Sequence, residues 1–157
     1  MATTVTPSTL SVTIQEDIEL NGVEQGSKNV LTIPSITEIA KRIIAVPTSE
    51  IEILAFQAST PGSGTFNEAD AKYIRITNLD NTNHLTLTFK NENDDEFAIK
   101  LDKGRSFIYT GDDSGGMVDT MDGIDGTGLT VSLGDLVNIT ALADTAEIDL
   151  ELFVAGT

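Results

Sequence analysis

The sequence predicts an all-β chain, an antiparallel β-sandwich of jelly-roll or Greek-key type, on three observations. Apolar and polar residues alternate with a period of two through several short segments; clusters of turn formers separate those segments; no convincing long helix interrupts them. Period-two alternation marks a half-buried strand, because successive side chains point to opposite faces of a sheet. Short strands at close spacing with turns between them are the pattern of a sandwich or barrel. No repeat recurs at solenoid or propeller period, so one sandwich domain is expected over 10–157, preceded by a flexible arm over 1–9. A jelly roll and another Greek-key sandwich present the same alternation, and both stay open.

The elements follow in order. Residues 1–9 are small and polar, rich in Thr, with Pro7, and read as a frayed tail or as an arm that orders on a neighbour. Leu10, Val12 and Ile14 open the first strand, which Ile18 and Leu20 resume. Asn21-Gly22 is a strong turn signal because both residues tolerate positive φ. Gly26 to Asn29 reads as a second turn, and Val30 to Ile33 as a short strand closed by Pro34. In 35–46, Ser35 and Glu38 have the spacing of a helix-capping pair, yet Arg42 to Val46 is short, β-branched and followed by Pro47. Extended chain is expected over 41–46, after one helical turn.

Glu50 to Ala58 is the next strand, with Ile51, Ile53 and Ala55 alternating against Glu52, Leu54 and Phe56, and Ser59 to Thr65 is a loop of turn formers. A central meander occupies 70–110. Ile74 and Ile76, then Leu85, Leu87 and Phe89, then Phe97, Ile99 and Leu101 alternate with polar neighbours, and Ser106 to Tyr109 closes the set. Its first turn, Asp80 to Asn83, suits a short hairpin, and Asn91 to Asp95 suits a second. Residues 111–128 form a Gly/Asp-rich loop of a length that is usually functional or mobile. Leu129 to Leu133 reads as a short strand, Val137, Ile139 and Ala141 mark the penultimate one, and Ile148, Leu150, Leu152 and Val154 point inward from the last.

Composition narrows the function. The chain has 157 residues, no Cys, and 25 acidic against 9 basic residues, for a formal charge of -16. Such a surface repels phosphate backbones and anionic membranes, so neither nucleic acid nor membrane is an expected partner. The N-terminus carries no basic start with an apolar block, and no apolar run approaches the roughly 20 residues of a membrane span. The single histidine, His84, has no oriented partner by sequence, and Ser114-Gly-Gly and Gly62-Ser-Gly64 fall short of a nucleophile elbow and a phosphate loop. No catalytic residue is expected. Asn138-Ile-Thr140 matches a glycosylation sequon but lies in a strand reading. Calcium is the one small ligand with a sequence argument: Asp112, Asp113, Asp119, Asp122 and Asp125 lie among glycines, and calcium takes six to eight oxygens in flexible geometry. Their spacing matches neither an EF-hand nor a Gly-rich nonapeptide repeat, and a mobile or subunit-contact loop is the alternative.

Three stretches carry a family resemblance: Ala71-Lys-Tyr-Ile-Arg-Ile-Thr-Asn-Leu-Asp-Asn81, Leu85-Thr-Leu87, and Phe97-Ala-Ile-Lys-Leu-Asp-Lys-Gly-Arg-Ser-Phe-Ile108. With the preceding Ile39 to Ile53 segment, they resemble small virion structural proteins of tailed bacteriophages of marine and cyanobacterial hosts. The resemblance covers roughly 36–110 and consists of strand and turn signatures, not a catalytic fingerprint. It implies a non-enzymatic building block of a virus particle, made in the host cytoplasm. A decoration (cement) protein on the capsid exterior is the form expected, clamping adjacent major capsid protein subunits and forming homo-oligomers or neighbour contacts on the shell. Contact regions expected on that basis are the arm with Thr3, Val5, Pro7 and Leu10, the loop at Pro61, and the loop residues Met117, Val118 and Met121. For the methionines, packing back over the sandwich end is the alternative. A tail or fibre-base component and a bacterial calcium- or carbohydrate-binding module are the other classes; with aromatics at 5% and no Trp, the sugar-binding one is weak.

Overall fold

A computed structural model describes residues 4–57, 64–123 and 132–157. The chain is all-β, with strands β1 (Ser8–Glu16), β2 (Glu19–Leu20), β3 (Val23–Glu24), β4 (Ser27–Ile36), β5 (Glu38–Val46), β6 (Ile51–Gln57) and β7 (Phe66–Asn67). They are followed by β8 (Ala71–Asn78), β9 (Leu85–Asn91), β10 (Glu96–Leu101), β11 (Ser106–Thr110), β12 (Leu136–Ala143) and β13 (Ile148–Gly156). Two sheets hold the core, one in the order β11-β8-β13-β5 and the other β10-β9-β12-β6-β7. The long strands nest in antiparallel pairs, β5 with β13, β6 with β12, β8 with β11 and β9 with β10. Among the described residues, only the short β6·β7 pair is parallel. Consecutive long strands change sheet at nearly every connection, so 79–84 and 102–105 are corners between the sheets. The expected hairpin at Asp80 to Asn83 is therefore corrected. Asp80 accepts the amides of Thr82 and Asn83 at 2.6 Å each, which turns the chain across the sandwich end and holds its carboxyl below the usual range.

The core lies between the sheets. Leu150, Leu152 and Val154 of β13 and Ile74 and Ile76 of β8 face Leu85, Leu87 and Phe89 of β9 and Ile139 and Ala141 of β12, all of them buried. In β6 the inward parity changes partway: Leu54 pairs with Ile139 but Glu52 pairs with Thr140, so an extra residue is accommodated there. The result is that Ile53, Leu54 and Phe56 are all buried, where strict alternation predicts Ile53 opposite to Leu54. A second irregularity puts Val137 outside the one-to-one pairing of β12 with β9.

The first 36 residues differ most from expectation. Strand pairing begins at Ser8, inside the expected arm, and β1 with β4 forms a two-stranded ribbon outside both sheets. The sandwich itself starts at Glu38, not Leu10. Ser27, Lys28 and Asn29 belong to β4, not to a turn, and β4 continues through Pro34 to Ile36. Proline is tolerated because the register slips between Ser8 and Leu10, and Ser35 takes φ 62 there. That backbone and the nine-residue pairing of β5 with β13 leave no helical turn at Ser35 to Glu38.

Candidate interaction surface

The ribbon is closed by a tight tip. Asn21 and Gly22 have φ of 52 and 78, the geometry of a two-residue hairpin turn, and Leu20 pairs with Val23 across it. At the neck, Glu24 accepts the amides of Gly26 (2.7 Å) and Ile18 (3.4 Å), while Ser27 Oγ donates to Glu16 at 2.7 Å. Only glycine fits at 26, since a Cβ there would lie 2.0 Å from the Glu16 carbonyl oxygen. The arm is thus built by its own bonds.

Its base is seated and its outer part is not. Ile33 and Ile36, with Leu10 and Val12 against them, pack on Tyr73, Ile108, Phe153 and Ala155, the outer face of the β11-β8-β13-β5 sheet. Tyr73 and Phe153 meet edge to face at 5.9 Å. Beyond that base every residue from 13 to 32 is exposed except Gly26. Ile14, Ile18, Leu20, Val23, Val30 and Leu31 all stand in solvent, with Leu20 the most open at 58%. On the sheet beside the arm, Ile39 and Ile43 of β5 are 63% and 66% exposed. The six large apolar side chains of the ribbon mark an interaction surface, and Ile39 and Ile43 are two more exposed on β5. Between them runs an ionic row: Glu151 accepts Arg75 at 2.5 Å and Lys41 at 3.3 Å, and these cations hold its carboxyl below the usual range.

The residues expected at contacts are distributed unevenly. Val5 and Pro7 are exposed, and Leu10 is half-buried at the arm's base. Thr3, Pro61 and Asp125 lie outside the described residues. Met117 and Met121 are corrected: they are 0% and 2% exposed and belong to the core, closing the end of the sandwich. Met117 is drawn in by its amide on the Glu68 carbonyl (2.7 Å), and Met121 exchanges backbone bonds with Gly134. Val118 is half-buried beside them. The arm's exposed apolar residues were the ones missed; Ile18, Leu20 and Val23, set among Glu16, Asp17, Glu19 and Glu24, were the signal.

The carboxylates of Asp112 and Asp122 serve the loop's own backbone. Asp112 accepts Ser114, Asp122 accepts the Ser132 amide at 2.7 Å, and Asp119 donates its amide to Asp135 at 2.8 Å. Asp113 lines a cleft of about 430 Å³ with Asp70, where buried Lys72 donates to the Ala69 carbonyl at 2.8 Å. Among the described residues, no three His, Cys, Asp or Glu side chains come together as a metal site. His84 has a partner that the sequence did not reveal, Asp144 at 3.5 Å on the opposite end. Asn138 sits within β12 between two paired strands.

Under the loop, burial and then the carboxylates of Asp135 and Glu92 push the Glu68 carboxyl up. A carboxyl raised on folding favours the native state below its unfolded pKa, and that stabilisation is lost as pH rises through the folded value. Glu68→Gln is therefore expected to raise stability at pH 7 by about 0.5–1 kcal/mol. The gain should vanish below about pH 4, read by thermal melts across that range. An unchanged difference at all pH values would show that the charge is irrelevant.

No protein-family model and no curated protein matches this chain. A solved structure described under "Bacillus endospore appendages form a novel family of disulfide-linked pili" is similar at 11% identity, over 76% of this chain and 85% of that one, with a TM-score of 0.43. At that level the likeness assigns no function.

Proposed function

We propose that the chain is a non-enzymatic structural protein of a virus particle, of the kind that decorates the exterior of a tailed-bacteriophage head and binds the major capsid protein. One observation carries the assembly part of this reading. The outer half of the arm leaves six large apolar side chains in water, and fully burying each is worth roughly 1.5–3 kcal/mol. A protein surface is what covers such a ribbon. The virion part comes from the resemblance over 36–110, and the nested strand pairs are those expected of the jelly-roll form. A protein of this type stabilises a shell by binding the assembled lattice better than free subunits, which shifts the equilibrium by mass action.

The test is co-sedimentation of the purified protein with expanded capsids lacking it, with and without a calcium chelator. Saturable binding at a lattice stoichiometry is expected, unchanged by chelation. A protein that stays in the supernatant while forming a discrete oligomer would move the reading to a tail or fibre-base component. Release on chelation would make the Asp-rich loop a metal site.

A further inference from the structure

We infer that Asn21, at the tip of the arm, is a self-modifying site at which the folded chain converts to aspartate and isoaspartate. Asparagine is among the chemically labile side chains, and the reaction needs a following residue whose backbone nitrogen is unshielded. Asn21-Gly22 is the only Asn-Gly step in the chain. The Gly22 nitrogen bonds to Asn21 Cγ and gives up its proton, the carboxamide nitrogen leaves as ammonia, and a five-membered succinimide closes. Water then opens the ring. Attack at the side-chain carbonyl leaves an ordinary aspartate; attack at the main-chain carbonyl leaves isoaspartate, with an extra methylene in the backbone.

The tip leaves this path open in three respects. Asn21 and Gly22 are both exposed, and even a Cβ on Gly22 would meet no atom within 4 Å, so no neighbour bars the attack. Among the described residues, no hydrogen bond holds the Asn21 side chain. The attack also requires the backbone between Asn21 and Gly22 to rotate, so the turn must open. Only the pairs Leu20 with Val23 and Glu19 with Glu24, all exposed, resist that opening, beyond the bonded neck at Gly26. Ends covered so thinly open at little cost. Asn78 and Asn91 present the opposite case: they are 0% and 1% exposed, their amides are bonded, and neither precedes a glycine. The product adds a carboxylate to a stretch that already carries Glu16, Asp17, Glu19 and Glu24. Isoaspartate further lengthens a turn that fits two residues, which parts Leu20 from Val23. The modification therefore remakes the apolar tip whatever that tip docks on.

The experiment is timed incubation of the full chain in mildly alkaline buffer, folded and in urea, followed by tryptic digestion. Cleavage after Lys28 isolates residues 1–28, in which Asn21 is the only asparagine. Mass spectrometry with fragmentation reads the replacement of the amide by a carboxyl at that position. Isoaspartyl methyltransferase with a labelled methyl donor, applied to the same peptide, reads the isoaspartate. The folded chain is expected to convert at Asn21 within about tenfold of the rate in urea. Conversion should quicken as pH rises, because the attacking nitrogen must lose its proton, and Asn78 and Asn91 should stay intact. Asn21→Gln, whose ring closure would be six-membered, should lose the methyl-acceptor signal and keep the wild-type circular dichroism spectrum. A 1–28 peptide that stays unmodified in the folded chain would overturn the inference. So would earlier conversion at Asn78 or Asn91, or an undiminished signal from Asn21→Gln. None of these readouts depends on shell binding, so the two readings fail separately.

Discussion

Phe89→Ala is expected to lower stability by about 3–5 kcal/mol, the range for removing a buried aromatic ring. Phe89 is fully buried and is the hub of the aromatic contacts. Phe97, its direct partner on β10, stacks on it at 4.7 Å with planes 6° apart, while Phe107 and Tyr109 reach it from β11 at 5.1 and 6.0 Å. The first contact lies within one sheet and the other two cross to the opposite sheet, so the ring couples the two layers. Tyr109 carries the effect outward, because its hydroxyl donates to the Thr120 carbonyl at 3.0 Å, next to the Met121 plug. Urea melts should show a lower midpoint for Phe89→Ala. Phe89→Leu, which keeps an apolar filling, should recover more than half of the loss. An alanine variant within 1 kcal/mol of wild type would mean that the cluster does not hold the sheets together.

The same ring illustrates what the sequence discloses. Phe89, Phe97, Phe107 and Tyr109 all fall on the apolar phase of their strands, and so do Leu150, Leu152 and Val154, because parity along a strand is local. Sheet membership is not local. β8 and β9 follow one another with matching alternation, and the turn between them reads as a hairpin, yet they lie in opposite sheets. The corner holds the Asp80 carboxylate that caps it and the Asn78 side chain that donates to the Asn83 and Leu101 carbonyls. The Asp80 bonds are local and serve a hairpin as well as a corner, while the Asn78 bond to Leu101 depends on β10 and is invisible without it. Parity itself fails in β6, where the irregularity opposite Ile139 and Thr140 depends on β12.

The arm was hidden for a related reason. Leu10, Val12 and Ile14 alternate as any sandwich strand does, and pattern alone does not say whether a second sheet covers them. Only the base is covered. Met117 and Met121 erred in the other direction: set among glycines and aspartates they looked exposed, but Gly116, at φ 61 and backed against the Glu68 and Ala69 carbonyls, turns the loop down onto the core. A Cβ at Gly116 would lie 2.4 Å from the Glu68 oxygen. The glycine that suggested mobility is the one that fixes the plug.

The loop end depends on one buried amide, and Asn91→Ala is expected to destabilise the fold by about 3 kcal/mol. Asn91 is 1% exposed at the end of β9. Its Oδ1 accepts the amides of Asn93 and Asp95, both at 2.9 Å, which shapes the β9–β10 turn. Its Nδ2 donates to Asp95 Oδ2 at 3.2 Å and to the Met121 carbonyl at 3.3 Å, which pins the loop to the same corner. Alanine removes four bonds at once, three of them half-buried and the one to Met121 buried, at about 0.5–1.5 kcal/mol net for each. Asn91→Asp separates the two halves of the role. It keeps the acceptor for the turn but, when ionised, sets a carboxylate against Asp95 and the Met121 oxygen. Burial and Asp95 would raise the introduced group's folded pKa, so the variant should be as weak as alanine at neutral pH. It should regain stability as pH falls, once protonation restores a donor. Asn138→Ala, which loses only an exposed bond to Glu52, should stay within about 0.5 kcal/mol of wild type. An Asn91→Asp variant as stable as wild type at every pH would show that the turn alone matters, and that the loop reaches its place without the Nδ2 bond.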